Sequence, residues 1–103
     1  MINILTKSPK STETDIAKLF DGLGDPTRLK IVCLLLENGE LCVSDIKEEI
    51  GISMPGTSQQ LRVLENAGLL KRLPMGQKAC YIPNHSNPQA KLLFSCIKTL
   101  KKG

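Results

Sequence analysis

The stretch "SMPGTSQQLRVLENAG", residues 53–68, decides the fold of this chain. Ser53 is a favourable N-cap residue, Pro55 suits the first turn of a helix and Gly68 suits its end, so the stretch predicts a helix. The inward face of this helix carries Thr57, Leu61, Leu64 and Gly68, and the outward face carries Pro55, Gln59, Arg62 and Asn66. Amides and a cation on the outward face are typical of a helix that enters the major groove of DNA.

Two helices are predicted before this stretch. Residues 1–12 are polar and are expected to form a flexible arm, whereas residues 13–102 form a single domain. The first helix is predicted to start near Thr12 or Thr14. The second helix, over residues 26–38, is apolar nearly all round, which predicts a central, buried position.

The remaining segments complete the order of elements. A short third helix over residues 43–50 is predicted to be capped by Ser44. Two extended runs, residues 69–74 and 78–83, surround a glycine turn and predict a hairpin, and a last helix starts after Asn87. This order predicts a winged helix–turn–helix, a mainly α fold with a small β-hairpin that serves as the wing.

The charge is distributed unevenly over the 103 residues, whose net charge is +4. Residues 1–50 carry nine acidic residues against six basic ones, whereas residues 51–103 carry eight basic residues against Glu65 alone. A basic second half predicts a polyanionic partner, and nucleic acid before a membrane.

The predicted contacts to double-stranded DNA lie on the fourth helix and on the wing. A glutamine amide can pair bidentately with adenine, an arginine suits guanine or phosphate, and the cations of a wing suit phosphates. The near absence of acidic residues from this face favours DNA binding over simple solvation. The predicted contacts are Pro55, Thr57, Ser58, Gln59, Gln60, Arg62, Lys71, Arg72, Gln77 and Lys78.

The cysteines and the first residues of the chain limit which cellular compartment and which metal or redox motifs are expected. None of the four cysteines forms a C-x-x-C pair and His85 is the only histidine, which excludes a zinc ribbon or a thioredoxin motif. The start of the chain does not resemble a signal peptide, and no stretch reaches the roughly 18 apolar residues of a membrane span. We therefore expect a cytoplasmic protein with reduced thiols, without membrane contact, cofactor or catalytic site.

Four segments together resemble the ArsR/SmtB family of bacterial repressors: "LGDPTRLKIVCLLL", "GELCVSDIKEEIGIS", "SQQLRVLENAGLLKR" and "GQKACYIP". The match runs from about Leu23 to Ile82. The resemblance implies a homodimer that represses its own operon until a small inducer binds. Gln59 and Gln60 stand where family members often have histidine, so we expect a different operator sequence.

The resemblance also implies that the first and fifth helices form the dimer interface. Both helices carry an apolar stripe, which such an interface requires. The predicted interface residues are Ile16, Leu19, Phe20, Leu23, Leu93, Cys96, Ile97 and Leu100.

The family's arsenite and cadmium sensors carry a segment similar to "ELCVCDLC", with several thiols on the third helix. Here Cys42 matches the first thiol, but Ser44 and Lys47 stand at the next two thiol positions. A single sulfur binds a soft metal weakly, and the Lys47 cation repels one. Cys42 is therefore expected to be a remnant, unless it joins another cysteine in a non-standard arsenite site.

A second branch of the family, which responds to persulfides or oxidants, resembles "RLxILCxL" on the second helix and has another cysteine on the fifth. Cys33 and Cys96 match this pair, although Cys96 lies about one helical turn earlier. The resemblance implies that linking these two thiols releases the DNA. Simple packing is the competing interpretation for each thiol, and Cys80 is expected to be incidental. A protein-interaction module without DNA binding is the alternative from another functional class.

Overall fold

The computed structural model describes residues 9–103, with side chains from Thr12 onward. The predicted order of helices and hairpin is confirmed, and the fold is a winged helix–turn–helix. The elements are α1 (Pro9–Leu23), α2 (Pro26–Asn38), β1 (Leu41–Cys42), α3 (Val43–Ile50), α4 (Met54–Asn66), β2 (Leu70–Met75), β3 (Lys78–Pro83) and α5 (Pro88–Lys102).

The first helix starts earlier than the sequence analysis predicts. It begins at Pro9 rather than near Thr12, because proline is favourable at the first position of a helix. Residues 9–12 of the predicted arm therefore belong to α1, and residues 1–8 lie outside the described part of the chain.

Side-chain caps fix where three of the helices begin. The Asp25 carboxylate accepts hydrogen bonds from the backbone N–H groups of Thr27 and Arg28, at 3.0 and 3.1 Å, and Ser53 and Asn87 cap α4 and α5 in the same way. These caps satisfy N–H groups that have no partner within the helix.

The cap predicted for α3 is wrong by two residues. Ser44 lies inside the helix, and Cys42 occupies the N-cap position. The Asp45 carboxylate reaches back and accepts a hydrogen bond from the Cys42 N–H at 3.2 Å. An acidic residue in the first turn also complements the positive end of the helix dipole.

A three-stranded antiparallel sheet has the order β1-β3-β2. In the hairpin, Arg72 pairs with Tyr81 and Leu73 with Cys80, and Gly76 supplies the left-handed conformation of the turn, with φ 65°. β1 is only two residues long and pairs Leu41 with Tyr81 and Cys42 with Cys80. This strand escapes sequence analysis because two residues show no alternation pattern.

The core is aliphatic and is centred on α2, as its all-round apolar sequence predicts. Ile31, Val32 and Leu35 of this helix are completely buried. They pack against buried residues of every other helix and of the wing, namely Leu19, Ile46, Leu61, Leu64, Leu69, Leu70, Tyr81, Ala90, Phe94 and Ile97. None of the helices within residues 9–103 combines the length and apolarity that crossing a membrane requires.

Arg28 of α2 connects α1 to α4. Its guanidinium donates to the carbonyl oxygens of Gly22 (2.9 Å) and Asp21 (3.1 Å), at the end of α1, and to Oε1 of Gln60 (3.2 Å) on α4. A Cβ at Gly22 would lie only 2.8 Å from Cδ1 of Leu69, so glycine allows α1 to approach this closely. Arg28 thus connects α4 to the end of α1 through hydrogen bonds, and Gly22 lets α1 pack against Leu69, just after α4.

We predict that Arg28→Met lowers the free energy of unfolding by about 1–3 kcal/mol, because it removes two partly buried hydrogen bonds and one exposed hydrogen bond. Lys30→Met, at an exposed position on the same helix, is the matched control and is expected to change stability by no more than about 0.5 kcal/mol. Urea denaturation of the two variants measures the difference. Equal losses would show that the connection does not stabilise the fold.

Candidate nucleic-acid interface

The outward face of α4 is exposed as its sequence periodicity predicts. Pro55, Gln59, Arg62 and Asn66 are exposed, whereas Leu61 and Leu64 are completely buried. Ser58 lies between the two faces and is half-buried. The side chains with donors and acceptors for base edges therefore project away from the core.

Thr57 does not belong to this surface, so its predicted DNA contact is wrong. Its side chain is completely buried, and its hydroxyl donates to the carbonyl oxygen of Ser53 at 2.9 Å. The hydroxyl is used inside the first turn of α4, which stabilises the start of the helix. The periodicity of α4, which placed Thr57 on the inward face, predicted its position correctly.

Gln60 is half-buried, and its amide oxygen accepts the hydrogen bond from Arg28. A bidentate contact with adenine uses the oxygen and the nitrogen of a glutamine amide together. The bond to Arg28 uses one of the two lone pairs of this oxygen, so the adenine contact of Gln60 stays a prediction. Gln59 is the exposed glutamine of the helix.

The four predicted wing residues are all exposed. Lys71 and Arg72 are consecutive on β2 and therefore point to opposite faces of the hairpin. Gln77 and Lys78 lie at the turn, next to Gly76. The hairpin thus presents cations on both faces and at its tip.

A groove lies between α4 and the wing. One part is lined by Arg62 and Glu65 of α4 together with Arg72 and Tyr81 of the wing, and the adjoining part by Met54, Gln77 and Lys78. Both parts share Val43, Ser58 and Ala79, so we call them together the α4–wing groove. The helix and the wing therefore face a common space with a basic lining.

Tyr81 is a member of this groove that sequence analysis missed. Burial raises the pKa of its hydroxyl above the ordinary value, and the nearby Glu65 carboxylate raises it further, against the opposing effect of Arg72 and Arg62. The hydroxyl stays protonated at neutral pH and can donate a hydrogen bond. The signal was available in the hairpin register, which places Tyr81 opposite Arg72.

The cysteines are arranged differently from the sequence-based expectation. Cys42 and Cys80 are paired across β1 and β3 and form a disulfide. The structure therefore joins two cysteines that the sequence analysis treated separately, Cys42 as a remnant and Cys80 as incidental. The physical reason is the missed strand β1, which brings together two residues 38 positions apart.

Cys33 and Cys96 are free thiols. Cys33 is half-buried on α2 and lines a groove with Leu36, Ile97 and Lys98, whereas Cys96 is exposed and lies outside that lining. A direct bond between the two is absent from the structure. Within residues 9–103, no group of three or more His, Cys, Asp or Glu side chains is placed to hold a metal ion.

The two predicted interface helices expose part of their apolar stripes. Phe20 is 59% exposed and Leu100 is 78% exposed, and Ile16 and Cys96 are exposed too. Leu92, which is 67% exposed, was missed, because the helical stripe was placed one residue away from it.

Four of the predicted interface residues turn inward. Leu19 and Ile97 are buried in the core of the single chain and offer little surface to a partner, so their place in the interface stays a prediction. Leu23 and Leu93 are partly buried against the same core.

Comparisons with known proteins agree with the geometry. The description "Bacterial regulatory protein, arsR family" belongs to the family model that matches residues 25–72. The cadmium resistance transcriptional regulatory protein CadC homolog of Staphylococcus aureus is 40% identical over 72 residues, which cover 70% of this chain and 60% of that protein. The chain spans about half to three fifths of the length of the curated relatives it matches.

Two solved structures extend the likeness over most of the chain. A possible transcriptional regulator for arsenical resistance is 31% identical, with a TM-score of 0.64, and the match covers 78% of this chain and 82% of that one. The transcriptional repressor BigR from Xylella fastidiosa is 29% identical, with a TM-score of 0.67, over 90% of this chain and 96% of that one. The chain therefore belongs to the arsR family of bacterial regulatory proteins.

Proposed function

We propose that this chain is a homodimeric transcriptional repressor that binds operator DNA through α4 and the wing, and that thiol chemistry releases it. The observation that carries the proposal is the α4–wing groove, where Arg62 and Arg72 face the same space from two elements. Glu65 is the one carboxylate among its lining residues. A polyanion that lies along this groove meets cations on both sides.

In the proposed complex, α4 and the wing contact different parts of the DNA. α4 enters the major groove, where Gln59 reads adenine and Arg62 reads guanine or holds a phosphate. The wing residues Lys71, Arg72 and Lys78 hold the phosphates beside it. Tyr81, whose hydroxyl oxygen accepts a hydrogen bond from the Arg72 guanidinium, positions Arg72 rather than contacting DNA, because only 6% of its surface is exposed.

We predict that Arg62→Ala weakens binding to a duplex from upstream of the chain's own gene by about 1–3 kcal/mol, because it removes a groove contact. Lys91→Ala, at an exposed position on α5, is the matched control and is expected to leave affinity within about twofold. Fluorescence anisotropy measures both. Equal effects of the two changes would contradict the assignment of the surface, and no DNA binding by the unchanged protein would favour a protein-interaction module instead.

The exposed apolar residues of α1 and α5 supply the dimer interface. Phe20 and Leu100 are large apolar side chains that are more than half exposed in the single chain, and a second protomer that covers them removes this apolar surface from water. The two-fold pairing of α1 and α5 buries them and presents two α4 helices to successive turns of DNA.

We predict that Phe20→Glu converts the dimer to a monomer, because a charge buried without a partner opposes association. Sedimentation equilibrium measures the state, and Met75→Glu is the matched control, since Met75 is a 50% exposed apolar residue of the wing. A dimer that persists in Phe20→Glu, or a monomer formed equally by Met75→Glu, would contradict this interface.

Release by thiol chemistry is assigned to Cys33 and Cys96, the two free cysteines. A polysulfide can oxidise the pair and join them through sulfur atoms, while the polysulfide is itself reduced to sulfide. Because Cys96 is exposed and lies outside the groove that Cys33 lines, the link requires α5 to move. Movement of α5 displaces the dimer interface and with it the spacing of the two α4 helices.

We predict that tetrasulfide lowers the DNA affinity of the unchanged protein at least tenfold, a coupling within the usual range. Cys33→Ser and Cys96→Ser variants are each expected to keep their affinity after the same treatment. Anisotropy before and after treatment measures the change. A variant that still responds would contradict the roles of these two thiols.

Arsenite is the second candidate inducer. Cys42 and Cys80 lie next to each other, and two neighbouring thiols suit arsenite better than Cys42 alone. Trivalent arsenic binds two or three thiolates, so the disulfide has to be reduced before this pair can bind it. DNA release by arsenite in reduced protein, absent from Cys42→Ser, would favour this inducer over polysulfide.

A further inference from the structure

The disulfide between Cys42 and Cys80 closes a loop around the proposed DNA-binding surface. Cys42 ends β1 and caps α3, and Cys80 lies on β3 of the wing. The residues between them comprise α3, α4, β2 and the wing turn. Every predicted DNA contact, from Pro55 to Lys78, is therefore inside one covalent ring.

The two sulfurs of this ring differ in accessibility. Cys80 is 1% exposed and belongs to the buried side of the wing. Cys42 is half-buried and lines the α4–wing groove beside Ser58 and Lys78. A small molecule that enters the groove therefore reaches Cys42 and not Cys80.

We infer that Cys42–Cys80 is a thiol–disulfide exchange site for low-molecular-weight thiols, and that its redox state controls the wing and thereby DNA affinity. The inference rests on the proposed DNA-binding function. It concerns a pair of cysteines separate from Cys33 and Cys96, and it adds a second thiol input that acts on the DNA-binding surface rather than on the dimer interface.

The exchange takes two steps. A thiolate RS⁻ bonds to Cys42 Sγ, the Sγ–Sγ bond breaks, and the electron pair leaves on Cys80, which takes up a proton. A second RS⁻ attacks the R-bearing sulfur of the mixed disulfide, which releases RSSR, and Cys42 takes up the second proton. Two RSH molecules are thus oxidised to one RSSR, and the disulfide is reduced to two cysteine thiols.

Reduction affects the wing because the ladder at this edge of the sheet is short. β1 has two residues, and its ladder with β3 consists of the pairs Leu41–Tyr81 and Cys42–Cys80. Without the covalent bond, α3 and the wing are joined here by this ladder and by the packing of α3 against β3, and the wing gains conformational freedom. A freer wing loses more entropy when it binds DNA, so the reduced form binds more weakly.

The test uses the full chain carrying Cys33→Ser and Cys96→Ser, so that only Cys42 and Cys80 can react. Its affinity for the upstream duplex is measured by anisotropy in the oxidised form, after reduction with dithiothreitol, and after reoxidation with diamide. We expect a roughly tenfold loss of affinity on reduction, reversed by diamide. Adding Cys42→Ser or Cys80→Ala to this chain is expected to give one weak affinity under all three conditions.

Alkylation of the Cys33→Ser, Cys96→Ser chain with N-ethylmaleimide supplies a second measurement that needs no change at Cys42 or Cys80. The oxidised form of this chain is expected to remain unlabelled, and the reduced form to be labelled at Cys42 before Cys80. Equal DNA affinity in the oxidised and reduced forms, or a redox response that survives Cys42→Ser, would overturn the inference while leaving DNA binding intact. Absence of DNA binding in both forms would overturn the proposed function as well.

Discussion

The guanidinium of Arg28 helps to hold α4 in position. It occupies carbonyl oxygens that the end of α1 leaves without helical partners and holds Gln60 of α4 at the same time. Arginine suits this place because its planar group carries several donors in fixed directions, which a lysine ammonium lacks. The apolar side of α2 is buried in the core, so the hydrogen bonds of Arg28 attach α4 to a helix that is itself held in place. The outward side chains Gln59 and Arg62 owe their direction to this connection.

The position of the wing is set by a different contact, the β1-β3-β2 sheet. β3 is the central strand, and it connects to the start of α3 through β1 and the Cys42–Cys80 disulfide. Helix and wing are thus positioned by separate contacts, yet both line one basic groove. This arrangement favours the binding of a polyanion, because the cations are already close together and no free energy is needed to assemble them. The same separation allows thiol chemistry to act on the wing, on the dimer helices, or on both.

Sequence analysis predicted the fold well where local signals are strong. The Ser53 cap and the apolar repeat of α4 depend on residues a few positions apart, and the structure confirms them. The larger errors concern residues that are distant in sequence, whereas the start of α1 and the cap of α3 were displaced by a few residues. The β1 pairing and the disulfide join positions 38 residues apart, and the contact between Arg28 and Gln60 spans 32. Gln60 and Thr57 look equally available in the sequence, and only the tertiary structure shows that Thr57 is buried and that Gln60 is half-buried and bonded to Arg28.

Binding of the basic groove to duplex DNA is the claim on which the account depends, and a salt titration tests it most directly. Dissociation constants measured by anisotropy between low and moderate salt give the number of phosphates neutralised. Arg62, Lys71, Arg72 and Lys78 of two protomers are eight cations, which predict a plot of log K against log salt with a slope of about −7. A slope near zero, with binding retained, would contradict phosphate recognition by this surface.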